Sequence, residues 1–389
     1  METSKMGSKD QFDIIVVGGG PAGSTAAYHL AESRSLDVLV VDKRSFPRHK
    51  TCGGALLGCR DWSTEFPNYA EIETKLCGHP NEHMNFCVDR SVWWEGCDTH
   101  FFDHVHRYDF DNLLLEAALD RPNVSFRGFS VNSIEHLEDG RIRLHDGAQS
   151  VEAKAVIGAD GVSGFMARAL GNPRRNKNEL GICFVNHVVC EKLHEKAFIF
   201  YLWAGDLGYC YLFPTNDGYY IGVGFLGIDG KRVKQHLDDL LVYCVDQGLL
   251  PRKYRLHRKS AGLAPATVVN HIANDRILLV GDAAGLLNQL SGEGIYYAMK
   301  SGQLAGRILA ESLDQAAPRY LQAVKPLLDD VSYSKSILPR VFRGALKGYF
   351  GAVKLGGLVN LDGHLKRLFI NRLLRRNELF EWSNYKKVR

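Results

Sequence analysis

Residues 12–27 read Phe12-Asp-Ile-Ile-Val-Val-Gly18-Gly19-Gly20-Pro21-Ala22-Gly23-Ser-Thr-Ala26-Ala27. The run from Ile14 to Val17 is continuously apolar and β-branched, as in a strand buried on both faces, and it enters Gly18-x-Gly20-x-x-Gly23 directly. Gly18 permits a tight turn, Gly20 lets a pyrophosphate approach bare backbone, and Gly23 with Ala22, Ala26 and Ala27 lets a helix lie close to the sheet. Phosphates at the start of that helix would meet free N–H groups at its positive end. A second apolar strand, Val38-Leu-Val-Val, ends in Asp42, nineteen residues beyond Gly23, where a carboxylate can bind both hydroxyls of an adenosine ribose. Glycine spacing alone is weak; with both strands, the helix and the acid in place, the stretch predicts a dinucleotide site.

Working outward, Lys43-Arg44-Ser-Phe-Pro-Arg48-His-Lys50-Thr-Cys52-Gly53-Gly54 is a basic loop closing on glycines. Its cations can neutralise cofactor phosphates, and Gly53 with Gly54 lets backbone approach a flat ring. Two more apolar strands end in an acid beside glycine: Ala155-Val-Ile-Gly158-Ala-Asp160-Gly161 and Arg276-Ile-Leu-Leu-Val280-Gly281-Asp282. A long helix is expected after Gly292-Glu293-Gly294, with Ile295, Ala298, Gly302, Ala305 and Leu309 packing on the sheet. Three such strands bring three loops to one carboxyl edge, where ligands bind in open α/β sheets.

Between these strands the pattern changes. Residues 60–105 are aromatic and mixed and read as strands of a different sheet; Phe126 to Gly147 reads as antiparallel strands turning at Asp139-Gly140 and Asp146-Gly147. Gly181 to Leu226 is β-rich. Within it, Gly222-Val-Gly224-Phe-Leu-Gly227 matches the glycine fingerprint formally, but no second buried strand with a terminal acid follows, so it is read as strand packing. His104 and His106 are placed on one strand face as structural residues, because no third metal ligand lies nearby in sequence.

At 389 residues and 45% hydrophobic, the chain can bury more than one core. Nine cysteines without a CxxC pair suit free thiols in a reducing cytosol, and the short polar N-terminus resembles neither a signal peptide nor an anchor. The net charge of +4 is uneven: residues 334–389 carry thirteen Lys and Arg against three acids, leaving the remainder acidic. That basic end suits anionic lipid, a diphosphate or an acidic partner protein, and nothing points to nucleic acid.

As an ordered set, these motifs resemble the FAD-binding flavoproteins of the para-hydroxybenzoate hydroxylase type, and within them the geranylgeranyl reductase family. The residues carrying the resemblance are the opening fingerprint, Cys52-Gly53-Gly54, Arg107 with Phe110-Asp111, Gly158 to Ser163 with Arg168, Tyr209-x-Tyr211-x-Phe213-Pro214 with Gly222-x-Gly224, and Gly281-Asp282 through Gly302. The resemblance implies an α/β fold: a Rossmann-like FAD-binding domain with a parallel sheet (1–59, 104–176 and 270–333), an inserted β-rich substrate domain (60–103 and 177–269), and a basic helical C-terminal segment (334–389). It implies that Gly18, Gly20, Ala22, Gly23 and Asp42, with Lys43 and Arg44, serve the ADP half. Arg107 would contact the cofactor near its pyrophosphate, Asp282 would bind the ribityl chain or pyrophosphate, and the backbone from Gly292 to Gly294 would face the pyrimidine edge of the flavin; Gly53, Asp160 and Gly281 also belong to the cofactor set. Cys52 would lie by the isoalloxazine, and Glu293 is the candidate proton relay, with helix capping as its alternative. Two departures, Tyr211 where the family shows Trp and Gln289 where it shows Pro, are expected to make the cavity more polar.

The implied activity is reduction of a carbon–carbon double bond in an apolar substrate, with electrons from NAD(P)H, ferredoxin or a separate flavin reductase. The other enzymatic reading is an FAD monooxygenase acting on an aromatic group; the Trp-x-Trp-x-Ile-Pro element of flavin halogenases is absent. The expected location is the cytoplasm, with peripheral contact to a membrane or partner through residues 334–389.

Overall fold

A computed structural model describes residues 10–340 other than 59, 89, 97–99 and 202. The first sheet is organised around the opening strand, Gln11–Val17, which pairs in parallel with Val38–Asp42 on one side and Ser150–Gly158 on the other. Val124–Gly128 joins in parallel outside Val38–Asp42, and Ile277–Leu279 joins in parallel beside Ser150–Gly158. The parallel sheet thus includes Val124–Gly128, where an antiparallel strand was expected: its partner is the distant Val38–Asp42 rather than its sequence neighbour. Ser133–His136 and Ile142–His145 form the antiparallel extension, turning at Gly140 and Gly147, both of which have φ in the left-handed range.

The second sheet orders as Arg255–Pro265, Leu180–Val189, Gly218–Leu226, Gly208–Thr215, Lys196–Tyr201, His83–Val88 and Ser91–Gly96. Its pairs are antiparallel except the one between Lys196–Tyr201 and His83–Val88. The fingerprint-like Gly222 and Gly224 lie inside this antiparallel ladder, consistent with reading them as packing positions. One face is covered by the amphipathic helix Gly230–Asp246, whose Val233, Leu237, Leu240 and Cys244 pack with Leu212, Ile221 and Val223.

Two expectations give way here. Residues 62–65, 67–70 and 73–75 are helical rather than extended. Trp62, Phe66, Tyr69 and Ile72 are buried in the core of the first sheet's layer, so their aromatic character serves helix packing there. The helix Ile295–Glu311 also packs chiefly on the helix Pro21–Leu30. A β-carbon on Gly302 would sit 2.1 Å from the Ala22 carbonyl oxygen, and one on Gly306 would sit 2.5 Å from that of Ala26. The helix Ala316–Arg340 closes the described structure; residues 341–389, the bulk of the basic segment, lie outside it.

Candidate active site

The opening turn is built so that backbone occupies the space side chains would take. Gly18 has φ +112°, and a β-carbon there would lie 2.3 Å from the Ala159 carbonyl oxygen; one on Gly23 would lie 1.8 Å from the Gly18 oxygen. Gly20 begins the helix Pro21–Leu30 without a side-chain cap, so the first-turn N–H groups remain available to an anion. Asp42 ends its strand beside this turn, accepting the Gly19 N–H at 2.9 Å and the Arg44 N–H at 2.8 Å, one on each oxygen. Lys43 and Arg44 themselves are exposed.

The cation that faces the turn is Arg48, whose Nη2 lies 3.1 Å from where a Gly20 β-carbon would be. Arg48 is held by Asp111, a wholly buried carboxylate that also takes two bonds from Arg107, at 2.6 and 2.8 Å. Burial disfavours the Arg107 charge, but Asp111 and Cys52 outweigh it and hold the guanidinium protonated. Sequence reasoning chose Lys43 and Arg44 over Arg48; the usable signal was that Arg48 stands just before the glycine pair in the same basic loop.

The other two strand ends converge on this region. Asp160 accepts the Met166 N–H at 2.9 Å, while its buried Oδ1 has no hydrogen-bond partner; burial raises its carboxyl to about 6, against the hydrogen bonds from Met166 and Phe165 and the nearby Lys43. Gly281 adopts φ +56° and donates its N–H to Ser301 Oγ at 2.9 Å, turning the chain so that Asp282 lies 4.0 Å from Lys50 Nζ. Arg175, absent from the sequence-based set, braces this turn by donating to the carbonyls of Thr267, Asp282 and Ala283.

The third element is the loop before the helix Ile295–Glu311, where Gly292 has φ +72° and a β-carbon would collide with the Tyr209 hydroxyl. Glu293 makes no capping bond, which removes the alternative of a helix cap. Its carboxylate is buried with Oε1 3.7 Å from Arg60 Nε, and neither oxygen has a hydrogen-bond partner. Burial pushes this carboxyl up to about 7; Arg60 opposes the shift, and Asp330 and Glu65 add to it. Arg60 also lies over the Tyr296 ring, 3.1 Å from its centroid.

Facing these loops is an aromatic wall. Tyr209, Tyr211 and Phe213 alternate onto one side of the strand Gly208–Thr215, with Tyr211 and Phe213 stacked at 4.5 Å. Tyr211 lies across Gly222 and meets Gly53, whose β-carbon would be 3.2 Å from its ring. Cys52 accepts the Gly54 N–H at 3.4 Å and lies beside Arg107. Gln289 does not add polarity to the cavity as expected: it is buried, and its amide donates to the Ala266 carbonyl. His104 ends a short strand and His106 precedes the helix Arg107–Leu119, so they do not share a strand face. Their rings meet edge-on at 5.2 Å in a cluster with Tyr220 and His187. Among the described residues, no group of three or more His, Cys, Asp and Glu is arranged to hold a metal.

A parallel sheet with a bare-backbone turn at one helix N-terminus, an acid at the end of the neighbouring strand and two further acid-bearing turns on the same edge has the form of a nucleotide-binding flavoprotein, and these residues fit FAD. Residues 11–326 match the family model for an FAD-binding domain, and the chain belongs to that family. It is 29% identical over 322 residues to a menaquinone reductase of Mycolicibacterium smegmatis, covering 76% of each chain. It is 27% identical over 353 residues to a digeranylgeranylglycerophospholipid reductase of Methanococcus vannielii, covering 86% of this chain and 88% of that one. In fold it is similar to a geranylgeranyl bacteriochlorophyll reductase-like protein from Thermoplasma acidophilum, with a TM-score of 0.72 and 19% identity, over 96% of this chain and 100% of the other. A flavin-dependent brominase has the same fold at a TM-score of 0.68 and 18% identity, over 97% and 96%. The protein is an FAD-dependent oxidoreductase, similar to proteins of the geranylgeranyl reductase type.

Proposed function

We propose that this flavoenzyme reduces carbon–carbon double bonds of an isoprenoid or similarly apolar substrate. The observation that carries the reading is the apolar wall over the Cys52-Gly53 turn: Tyr211 and Phe213 with Met84, Phe101, Phe102 and Val185, a buried cluster suited to a hydrocarbon chain. The names of the two reductase relatives support it.

FAD held by these residues and reduced would supply the hydride for one alkene carbon, and a proton from the site would complete the other. In this reading Gly18, Gly20, Ala22, Gly23, Asp42, Lys43, Arg44, Arg107 and Asp160 serve the nucleotide half, and Gly53, Gly281, Asp282, Gly292 and Gly294 serve the ribityl and ring half. Cys52 contacts the substrate. Glu293 holds a proton near neutrality in a site that excludes water. The two electrons are restored by NAD(P)H, ferredoxin or a separate flavin reductase. The protein works in the cytoplasm, where residues 334–389 meet an anionic membrane or acidic partner; no helix among the described residues is long and apolar enough to cross a bilayer.

The brominase's fold keeps oxygen chemistry as the second reading, because fold does not decide function. Anaerobic mixing of the reduced enzyme with a prenyl alkene separates them. Flavin reoxidation with a product two hydrogens heavier supports the reductase; a strict oxygen requirement with an added hydroxyl on an aromatic substrate refutes it.

A further inference from the structure

The loop 288–294 has no ladder of its own, and its shape comes from a ring of bonds closed by Asn288. Asn288 Oδ1 accepts the N–H groups of Leu290 at 3.0 Å and Ser291 at 3.1 Å, its carbonyl accepts the Gly292 N–H at 2.8 Å, and its own N–H donates to the Glu293 carbonyl at 3.0 Å. What orients this ring is a helix that begins more than twenty residues further along the chain. Ser334, wholly buried on Ala316–Arg340, donates its hydroxyl to the Val331 carbonyl at 2.8 Å, which leaves its oxygen to accept the Gln289 N–H at 3.1 Å. One turn earlier on the same helix, Asp330 accepts from the Tyr297 hydroxyl and from Asn288 Nδ2, the latter at 3.5 Å, while Asn288 Nδ2 also reaches Tyr297 at 3.2 Å.

We infer that Asp330 and Ser334 are positioning residues for the flavin loop, setting through Asn288 and Gln289 how the Gly294 N–H and the first N–H groups of the helix Ile295–Glu311 meet the cofactor. The inference rests on the reading that Gly292 to Gly294 face the flavin ring. It follows from the energetics of the bonds. A buried N–H that loses its acceptor costs more than an ordinary hydrogen bond contributes, so without Ser334 the Gln289 backbone moves to find another partner. Gly292 lies three residues on, inside the same ring, and Gly294 directly follows Glu293, which closes it, so both move with it. The Gly294 N–H and the uncapped first-turn N–H groups of the helix Ile295–Glu311, aimed at the electron-rich end of the ring, would stabilise the reduced form more than the oxidised one. Misaligning them weakens FAD binding and lowers the flavin midpoint potential. Asp330 has a second effect, because its charge acts on the Glu293 carboxyl, which also faces Arg60 and Glu65.

The test measures FAD release by fluorescence and the midpoint potential against pH in S334A, S334C, D330N and G292A. S334C keeps the size of the side chain but is a poor acceptor, so it guards against a variant that loses its packing. The expected result is about tenfold weaker FAD retention and a lower potential in S334A and S334C, from one lost buried acceptor. In D330N, the pH at which the potential changes slope also moves down, which a purely structural role would not produce. Wild-type affinity and potential in S334A, S334C and D330N, beside loss of FAD in G292A, overturns the inference while leaving the flavin-loop reading intact. Unchanged FAD binding in G292A removes that reading, and the inference with it.

Discussion

Arg48 and Asp111 are joined beneath the opening turn: Arg48 Nη1 lies 3.1 Å from Asp111 Oδ2, and the same carboxylate binds Arg107 through both of its oxygens. One acid with no solvent exposure therefore aims one guanidinium at Gly20 and fixes another beside Cys52. Removing its charge leaves two partly buried cations without that counter-charge.

Asp111→Asn is accordingly expected to destabilise the protein by about 3–5 kcal/mol, the usual cost of breaking a buried ion pair from one side. The FAD content of the purified protein falls with it. Urea unfolding of the variant and of Arg48→Met reads this out; a midpoint for Asp111→Asn equal to wild type would show that the cluster contributes nothing.

Gly18→Ala places a β-carbon 2.3 Å from the Ala159 carbonyl oxygen in a conformation with φ +112°. The strand ends must separate to admit it, so the variant is expected to purify without colour. Absorbance near the flavin bands, normalised to protein, checks this; full yellow occupancy contradicts the turn described above.

Burial raises the Glu293 carboxyl from 4.5 to about 7, and Asp160 from 3.8 to about 6. The sign follows from proton counts. Between the unfolded and folded values the native state holds a proton that the unfolded chain has lost, so stability falls as pH rises through that window. From pH ~4.5 to ~7, wild type is expected to lose up to about 3 kcal/mol relative to Glu293→Gln, which keeps a neutral side chain throughout. Parallel stability curves for the two proteins across this range would refute the shift.

Tyr211→Ala removes a buried ring stacked on Phe213 and lying over Gly53 and Gly222. A loss of about 3–5 kcal/mol is expected from the cavity alone. If the wall lines the substrate chamber, the variant also takes bulkier apolar substrates, measured as the ratio of kcat/KM values for a branched and a linear prenyl alkene. An unchanged ratio would place the chamber elsewhere.

The opening strand, its glycine turn and Asp42 were readable because each property is local: a β-branched run makes a strand, glycine alone allows the left-handed turn, and fixed spacing carries the acid to the sheet edge. The recurrence of acid and glycine after two later strands extended that reading to the whole carboxyl edge. Strand partnership was not local. Val124–Gly128 looked like part of a hairpin until Val38–Asp42 took it as a parallel neighbour, and the aromatic residues 62–72 joined a helical layer whose partners lie elsewhere in the chain. Burial was not local either. Nothing around Arg48 separates it from Arg44 until Asp111, 63 positions on, pairs with it, and nothing around Glu293 tells a helix cap from a desolvated acid until Arg60 and Tyr296 close over it. Composition and spacing select the backbone conformations, whereas the charge state and aim of a side chain depend on residues brought together only when the chain has folded.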